Sequence, residues 1–265
     1  MAPGEVTTMR FTRAIVCPPG DHFAAGLTTA GLGKPEVTLA KAQHESYVRA
    51  LEAEGLEVAR LAVASDFPDG TFIEDTAVVT ARGALLTRLG AESRRGEGAG
   101  VGRALAEYFQ SIATIQAPGT LDGGDVCDAD GFFFIGLSQR SNEAGAQQLA
   151  RWLAGLGYES AMVDVRGLGG LLHLKSGLSH LGGRRLAAIG ELAGHPAFRD
   201  WTMLRVPAGE AYAANILRVN DAMLVPAGFP QMSAALRGLG LRVVELEMSE
   251  FRKMDGALSC LSLRW

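Results

Sequence analysis

The sequence predicts an α/β fold in which about five copies of one strand–turn–strand–helix–strand unit close into a pseudosymmetric ring. Three observations predict it. The same order of elements recurs along the chain. Polar residues stand at the start of an otherwise apolar strand in each copy, at Asp75, Asp125, His173, Asn215 and Asp255, about 40 to 50 residues apart. A last apolar stretch, "GALSCLSL" (Gly256–Leu263), follows the fifth copy and would complete the sheet of the first, removing an exposed edge.

The units follow in order. The first has "TRAIVCPP" (Thr12–Pro19), a long loop, the helix "VTLAKAQHESYVRALEAEG" (Val37–Gly55) and the strand "LEVARLAV" (Leu56–Val63). The second has the hairpin "EDTAVVTARGALLTRLG" (Glu74–Gly90), the helix "GVGRALAEYFQ" (Gly100–Gln110) and the strand "SIATIQA" (Ser111–Ala117). The third is the clearest. "DVCDADGFFFIGL" turns at Asp128 to Gly131. In the helix that follows, Ala146, Leu149, Ala150, Leu153 and Leu156 share one face, with Asn142 as N-cap and Gly157 as stop. "ESAMVDV" (Glu159–Val165) is its last strand. The fourth is weaker: "HLKSGLSHLGGRRLAAIG" (His173–Gly190), a short helix around His195 to Asp200, then "TMLRVPA" (Thr202–Ala208). The fifth turns at Asn220 and Asp221, then has the helix "FPQMSAALRGLGL" (Phe229–Leu241) and the strand "RVVELEM" (Arg242–Met248). Residues 1–265 read as one domain, and the polar strand starts would converge on one central site.

Composition narrows the function. A net charge of −4 with no long Lys/Arg stripe argues against nucleic acid as partner. No apolar run reaches the roughly 18 residues of a membrane span, and the opening "MAPGEVTTMRFTR" lacks the apolar core of a signal peptide. Cys17, Cys127 and Cys260 are too few and too far apart for a disulfide framework. The expected compartment is a reducing cytoplasm, where a lone cysteine can serve as a nucleophile.

Free cysteine is commonly a small buried hydrophobe, and Cys17 and Cys127 read that way. Cys260 follows "MDGALS", with a glycine and polar groups beside it. A nucleophilic cysteine needs a nearby base or cation. Of the five histidines, His173 is the best candidate, because it stands in the apolar stretch "GGLLHLKSGL", where an unpaired imidazole is costly. Asp122, in "TLDGGDV", has two open readings: a tight turn, or a carboxylate that orients His173. The acidic stretch "DFPDGTFIEDTA" carries Asp66, Asp69, Glu74 and Asp75; the last two abut an apolar strand and want a cation. No second cluster with ligand spacing appears, so a metal is the weaker explanation, and a planar guanidinium suits the carboxylates better. Arg88 and Arg140 each follow the second strand of a unit; they either clamp a substrate carboxylate or lie on the surface.

Seven stretches, "GLTTAGLGKP", "DGTFIEDTAVV", "LLTRLGAESRR", "TLDGGDV", "FFIGLSQRSN", "LLHLKSGL" and "KMDGALSC", stand in an order and spacing that resemble the dimethylarginine dimethylaminohydrolases, of the guanidino-modifying (pentein) superfamily. The resemblance runs over nearly the whole chain. It implies a five-bladed ββαβ propeller and a cysteine hydrolase that converts methylated arginines to citrulline and an amine through a thiouronium, without cofactor. It implies Cys260 as nucleophile, His173 as general acid/base and Asp122 as its orienting carboxylate, a position that is Glu in some members. It further implies Asp69, Glu74 and Asp75 around the guanidinium, Arg88 and Arg140 at the α-carboxylate, Leu27 as a lid contact and the Met254 backbone beside the substrate. The implied partner is a small guanidino substrate, and the protein a monomer or homodimer. Arginine deiminases, amidinotransferases and a non-catalytic arginine-binding propeller are the alternatives.

Overall fold

The computed structural model describes residues 10–63 and 66–265; the opening stretch Met1–Met9, read above for a leader, and residues 64 and 65 lie outside the described residues. Five three-stranded sheets are arranged as blades. The first holds β1 (Arg13–Val16), the helix α1 (Val37–Ala53) and β2 (Glu57–Arg60). The second holds β3 (Ala77–Thr80), β4 (Gly83–Leu86), α2 (Gly98–Leu105) and β5 (Ile112–Thr114). The third holds β6 (Val126–Ala129), β7 (Phe132–Leu137), α3 (Glu143–Gly155) and β8 (Glu159–Asp164). The fourth holds β9 (Leu178–His180), β10 (Arg185–Ala188) and β11 (Thr202–Arg205), with only a 3-10 turn, Pro196–Phe198, where a short helix was expected. The fifth holds β12 (Leu217–Val219), β13 (Ala222–Pro226), α4 (Pro230–Gly238) and β14 (Arg242–Leu246). After α5 (Ser249–Arg252), β15 (Ser262–Arg264) pairs antiparallel with β1, Ile15 opposite Leu263, and supplies the strand that the first blade lacks. The predicted ring closure is therefore found.

In blades two to five an antiparallel hairpin is followed by a parallel third strand, for example β6–β7 and then β7–β8. Local chemistry explains the turns. Asp130 and Gly131 both have positive φ, 54° and 91°, the conformation that a two-residue hairpin loop demands. Asn142 caps α3 by accepting the Gly145 N–H at 2.9 Å. Sheets of three strands this short need an apolar face packed against something else, and the apolar clusters lie between blades. Ile15 and Leu263 of the first blade pack with Ala77, Ala84, Val101 and Leu105 of the second. Phe134 and Val163 of the third pack with Leu178, Leu186 and Phe198 of the fourth.

The strand starts differ from the expectation in one respect. The polar residues stand not on strands but on or beside five 3-10 turns just before the innermost strands, Ile73–Thr76, Gly123–Asp125, Leu174–Ser176, Ala211–Ala214 and Leu258–Leu261: Asp75 and Asp125 lie within their turns, His173 and Asn215 flank theirs, and Asp255 precedes the last. Cys260 is on the last of these, and His173 directly precedes the third. Side chains link each turn to the next. Asp75 accepts the Gly124 N–H (2.9 Å) and Asp125 the Leu174 N–H (2.8 Å). Asn215 donates to the Lys175 carbonyl (3.0 Å) and accepts the Ser259 N–H (3.0 Å). The Ser259 hydroxyl donates to Glu74 (2.8 Å), which closes the circle.

On α1, His44 is buried between Tyr47 and Phe251, and neither ring nitrogen has a hydrogen-bond partner among the described residues. Burial lowers its pKa to about 4. Below the ordinary value near 6.5 the unfolded chain takes up a proton that the folded chain refuses, so stability falls as pH drops from 6.5 towards 4. Replacing His44 with Leu removes this loss. In thermal or urea unfolding, wild type should lose roughly 2 kcal/mol more than His44→Leu between pH 7 and pH 5. Equal losses would show that the imidazole is not buried neutral.

Candidate active site

The geometry starts from "TLDGGDV". Both glycines are required by close approach rather than by positive φ. A Cβ on Gly123 would sit 2.0 Å from the Glu74 carbonyl oxygen, and one on Gly124 would sit 2.7 Å from Nδ1 of His173. The turn therefore brings the fully buried Asp122 against the imidazole, and Asp122 Oδ2 lies 3.1 Å from His173 Nε2. The other oxygen of Asp122 accepts the Gly90 N–H at 2.8 Å. Of the two readings of Asp122, the structure has the carboxylate that orients the histidine.

Cys260 and His173 line one small cavity of about 30 Å³, together with Leu27, Asp69, Asp75, Arg140 and Met254. Seven of the ten residues singled out from sequence thus surround this space, and Asp122 stands behind His173 as the eighth. Glu74 and Arg88 are not brought there. The Glu74 carboxylate is turned to the opposite side of the ring, where it meets Lys175 at 2.6 Å, Arg264 at 3.1 Å and the Ser259 hydroxyl. It has its cations already, so the expectation that it holds a guanidinium is corrected. Arg88 donates to the Gly119 carbonyl at 3.2 Å and does not line the cavity.

Arg94 occupies the position expected of Arg88, and the sequence reading missed it. It is buried, donates to Asp75 at 2.7 Å, and is bound bidentate by Glu97 at 2.9 and 2.8 Å. The i, i+3 spacing of Arg94 and Glu97 was the available signal. Phe72 and Asp255 also line the cavity unpredicted. Arg140 has a buried Nη1 with no hydrogen-bond partner among the described residues, so a cationic donor stands open there.

Charge sets the protonation states. Burial alone would lower the His173 pKa, but Asp75, Asp125 and Asp122 outweigh it and push it up to about 9. Burial works against Asp75 as an anion, yet His173 and Arg94 hold it below the usual carboxylate range. Burial, then the nearby Glu74 and Asp75, push the Cys260 thiol up to about 12. Without a ligand the pair at neutral pH is therefore imidazolium and thiol. Asp69 is raised by burial; both of its oxygens accept the Leu27 N–H, at 3.0 and 3.1 Å. Cys17 and Cys127 are buried, as expected, whereas Cys260 is only partly buried. Asp75, Asp122 and His173 each bring one ligand atom within 4.8 Å of the others, a spacing that a cation could use. Those atoms are already committed to one another, Arg94, Gly90 and Gly124.

No protein-family model matches the chain. The chain is 39% identical over 256 residues to an N(G),N(G)-dimethylarginine dimethylaminohydrolase of Pseudomonas aeruginosa, covering 96% of this chain and 100% of that one. It is 37% identical over 257 residues to the enzyme of the same name from Streptomyces coelicolor, covering 95% and 96%. Among solved structures it superposes with a TM-score of 0.93 on the Pseudomonas aeruginosa protein, a cysteine-to-serine mutant complexed with citrulline, at 38% identity and covering 97% of this chain and 100% of that one.

Replacing Arg94 with Met strands two buried carboxylates, Asp75 and Glu97, without their cation. The expected cost is about 3–5 kcal/mol of unfolding free energy. Arg94→Lys should recover only part of it, because one ammonium cannot reproduce the guanidinium fork. A loss below about 1 kcal/mol in chemical denaturation would contradict the arrangement.

Proposed function

The chain belongs to the dimethylarginine dimethylaminohydrolase family, and on that premise we propose how its residues carry out the reaction. The protein is a cysteine hydrolase that converts Nω-methylated arginines to citrulline and methylamine or dimethylamine. One observation carries the residue assignment: Cys260 and His173 line a cavity together with the carboxyl groups of Asp75 and Asp69 and the open donor of Arg140. The carboxylates fit a guanidinium, and Arg140 with Arg94 fits the α-carboxylate of an amino acid.

The guanidinium of the substrate is a poor electrophile, so its plane must be held with the carbon facing sulfur. Its positive charge between Asp75 and Cys260 offsets the carboxylates that favour the thiol, and the thiol gives up its proton to solvent, His173 being already protonated. The thiolate attacks the guanidinium carbon and a C–S bond forms. The His173 imidazolium gives its proton to the departing amine nitrogen as the C–N bond breaks, leaving a thiouronium. Neutral His173 then takes a proton from water, the hydroxide adds to the same carbon, the C–S bond breaks and citrulline remains. Asp122 keeps the imidazole oriented throughout. The Leu27 segment covers the site and Met254 borders it.

The same reading takes residues 1–265 as one catalytic domain, a monomer or homodimer acting in the cytoplasm. Among the described residues no helix is long and apolar enough to cross a membrane.

Asymmetric dimethylarginine, monomethylarginine and arginine should be supplied in parallel, with citrulline and the released amine quantified. The methylated arginines are expected to yield citrulline with the matching amine, and Cys260→Ser to yield none. Undiminished citrulline from the serine variant, or ammonia from arginine as the sole product, overturns the assignment. A second measurement reads the resting state. Iodoacetamide should modify Cys260 in the ligand-free protein slowly at pH 7, and about tenfold faster for each pH unit up to 9, because the thiolate fraction rises tenfold per unit below the thiol pKa. A plateau near neutral pH would show a preformed thiolate.

A further inference from the structure

A second cavity, of about 670 Å³, meets the small one at Cys260 and His173. Leu172, His173, Asp255 and Cys260 line both, so these residues form the partition between them. The segment that begins at Leu27 contributes to both sides: Leu27 faces the small cavity, and Thr29, Ala30 and Leu32 face the large one. It is pinned at three consecutive residues. Leu27 N–H donates to Asp69, Thr28 Oγ1 to the Lys253 carbonyl at 2.8 Å, and Thr29 N–H and Oγ1 to Asp255. With the segment pinned, the small cavity has room for only a water or two.

The chemistry needs another way in and out. This step rests on the hydrolase reading above. Once Cys260 holds the thiouronium, the amino acid end is still attached on the side of Arg94 and Arg140, where the Leu27 segment has to shift to make room for it and then closes that side. The amine must nonetheless leave, and one water must reach the same carbon, before the C–S bond can be hydrolysed. We infer that the large cavity is the leaving-amine port: it houses the Nω-substituent, releases the amine and admits the hydrolytic water while the amino acid end stays bound.

The lining fits an alkylated nitrogen. It includes Leu171 and Ile189, and Leu172 on the partition, apolar side chains. Of its charged members, Lys175 is paired with Glu74, the Arg252 guanidinium lies 5.0 Å from the Tyr212 ring centroid, Asp255 holds Thr29, and Glu191 is exposed at the rim. Tyr212 donates its hydroxyl to the Gly256 carbonyl at 2.8 Å. The outer rim is open to solvent at Gly169, Gly170, Glu191 and Ala211.

Two substitutions narrow this port without touching the residues that bind or react. A Cβ at Gly169 meets nothing within 4 Å, and Ala211 is exposed, so Gly169→Trp and Ala211→Trp should fold, which circular dichroism and unfolding temperature check. The substrates are monomethylarginine and Nω-propylarginine. Wild type should turn over the propyl compound within about tenfold of the methyl one, since the port has space for the longer chain. Either variant should then lose more than about tenfold in kcat for the propyl compound and much less for the methyl one, while inhibition by citrulline is unchanged. Equal effects on both substrates, or none, overturn the port. So does a wild type that hydrolyses monomethylarginine and rejects the propyl compound, a result that needs no variant. Absence of citrulline from every methylated arginine with wild type would instead sink the hydrolase reading itself.

Discussion

The circle of buried hydrogen bonds around the ring axis is the constraint on which the rest of the molecule depends. Each 3-10 turn leaves backbone N–H groups that its own strand does not satisfy, and a side chain from a neighbouring turn meets several of them: Asp75 for Gly124, Asp125 for Leu174, Asn215 for Ser259. Unpaired, such buried groups would cost about 1–3 kcal/mol each. The circle therefore ties each blade to the next around the axis. It also explains why polar residues recur at equivalent points in a largely apolar chain.

The two residues proposed to react are variations on that circle. Cys260 stands one residue beyond Ser259, on the turn equivalent to the one that carries Asp75, and His173 directly precedes the turn that carries Lys175. The same carboxylates that hold the turns together create an electrostatic conflict at the sulfur. Asp75, Asp125 and Asp122 raise the imidazole against its burial, while burial and then Glu74 and Asp75 raise the thiol, so the protein rests as thiol and imidazolium. A site arranged this way discriminates against neutral ligands, because a cation is what relieves the repulsion between Asp75 and a developing thiolate. Glu74 takes part in that repulsion although it faces the other way and is neutralised by Lys175 and Arg264.

Much of the local structure was legible because it rests on short-range chemistry. The Asn142 cap, the hairpin loop at Asp130 and Gly131, and the closing pair of β15 with β1 all follow from residues a few positions apart or from the need to cover an edge. Less legible was what lies on the 3-10 turns. They have no periodicity of their own, so Cys260 and His173 read as strand residues. The stretch "LLTRLGAESRR" holds Arg88, Arg94 and Arg95, and nothing local says which one turns inward. Arg94 does so because Asp75, from the preceding hairpin, and Glu97 both meet its guanidinium there.

By itself the sequence determined the repeated unit, the ring that five copies must close, and the residue types able to carry out guanidine chemistry, because patterning and residue chemistry are local properties. The tertiary structure alone decided which of those residues face one another. Glu74 and Asp75 are adjacent in the chain yet point to opposite sides of the axis, one to Lys175 and Arg264, the other to His173 and Arg94. That choice comes from packing five turns around one point, where each side chain takes the direction in which its charge finds a partner.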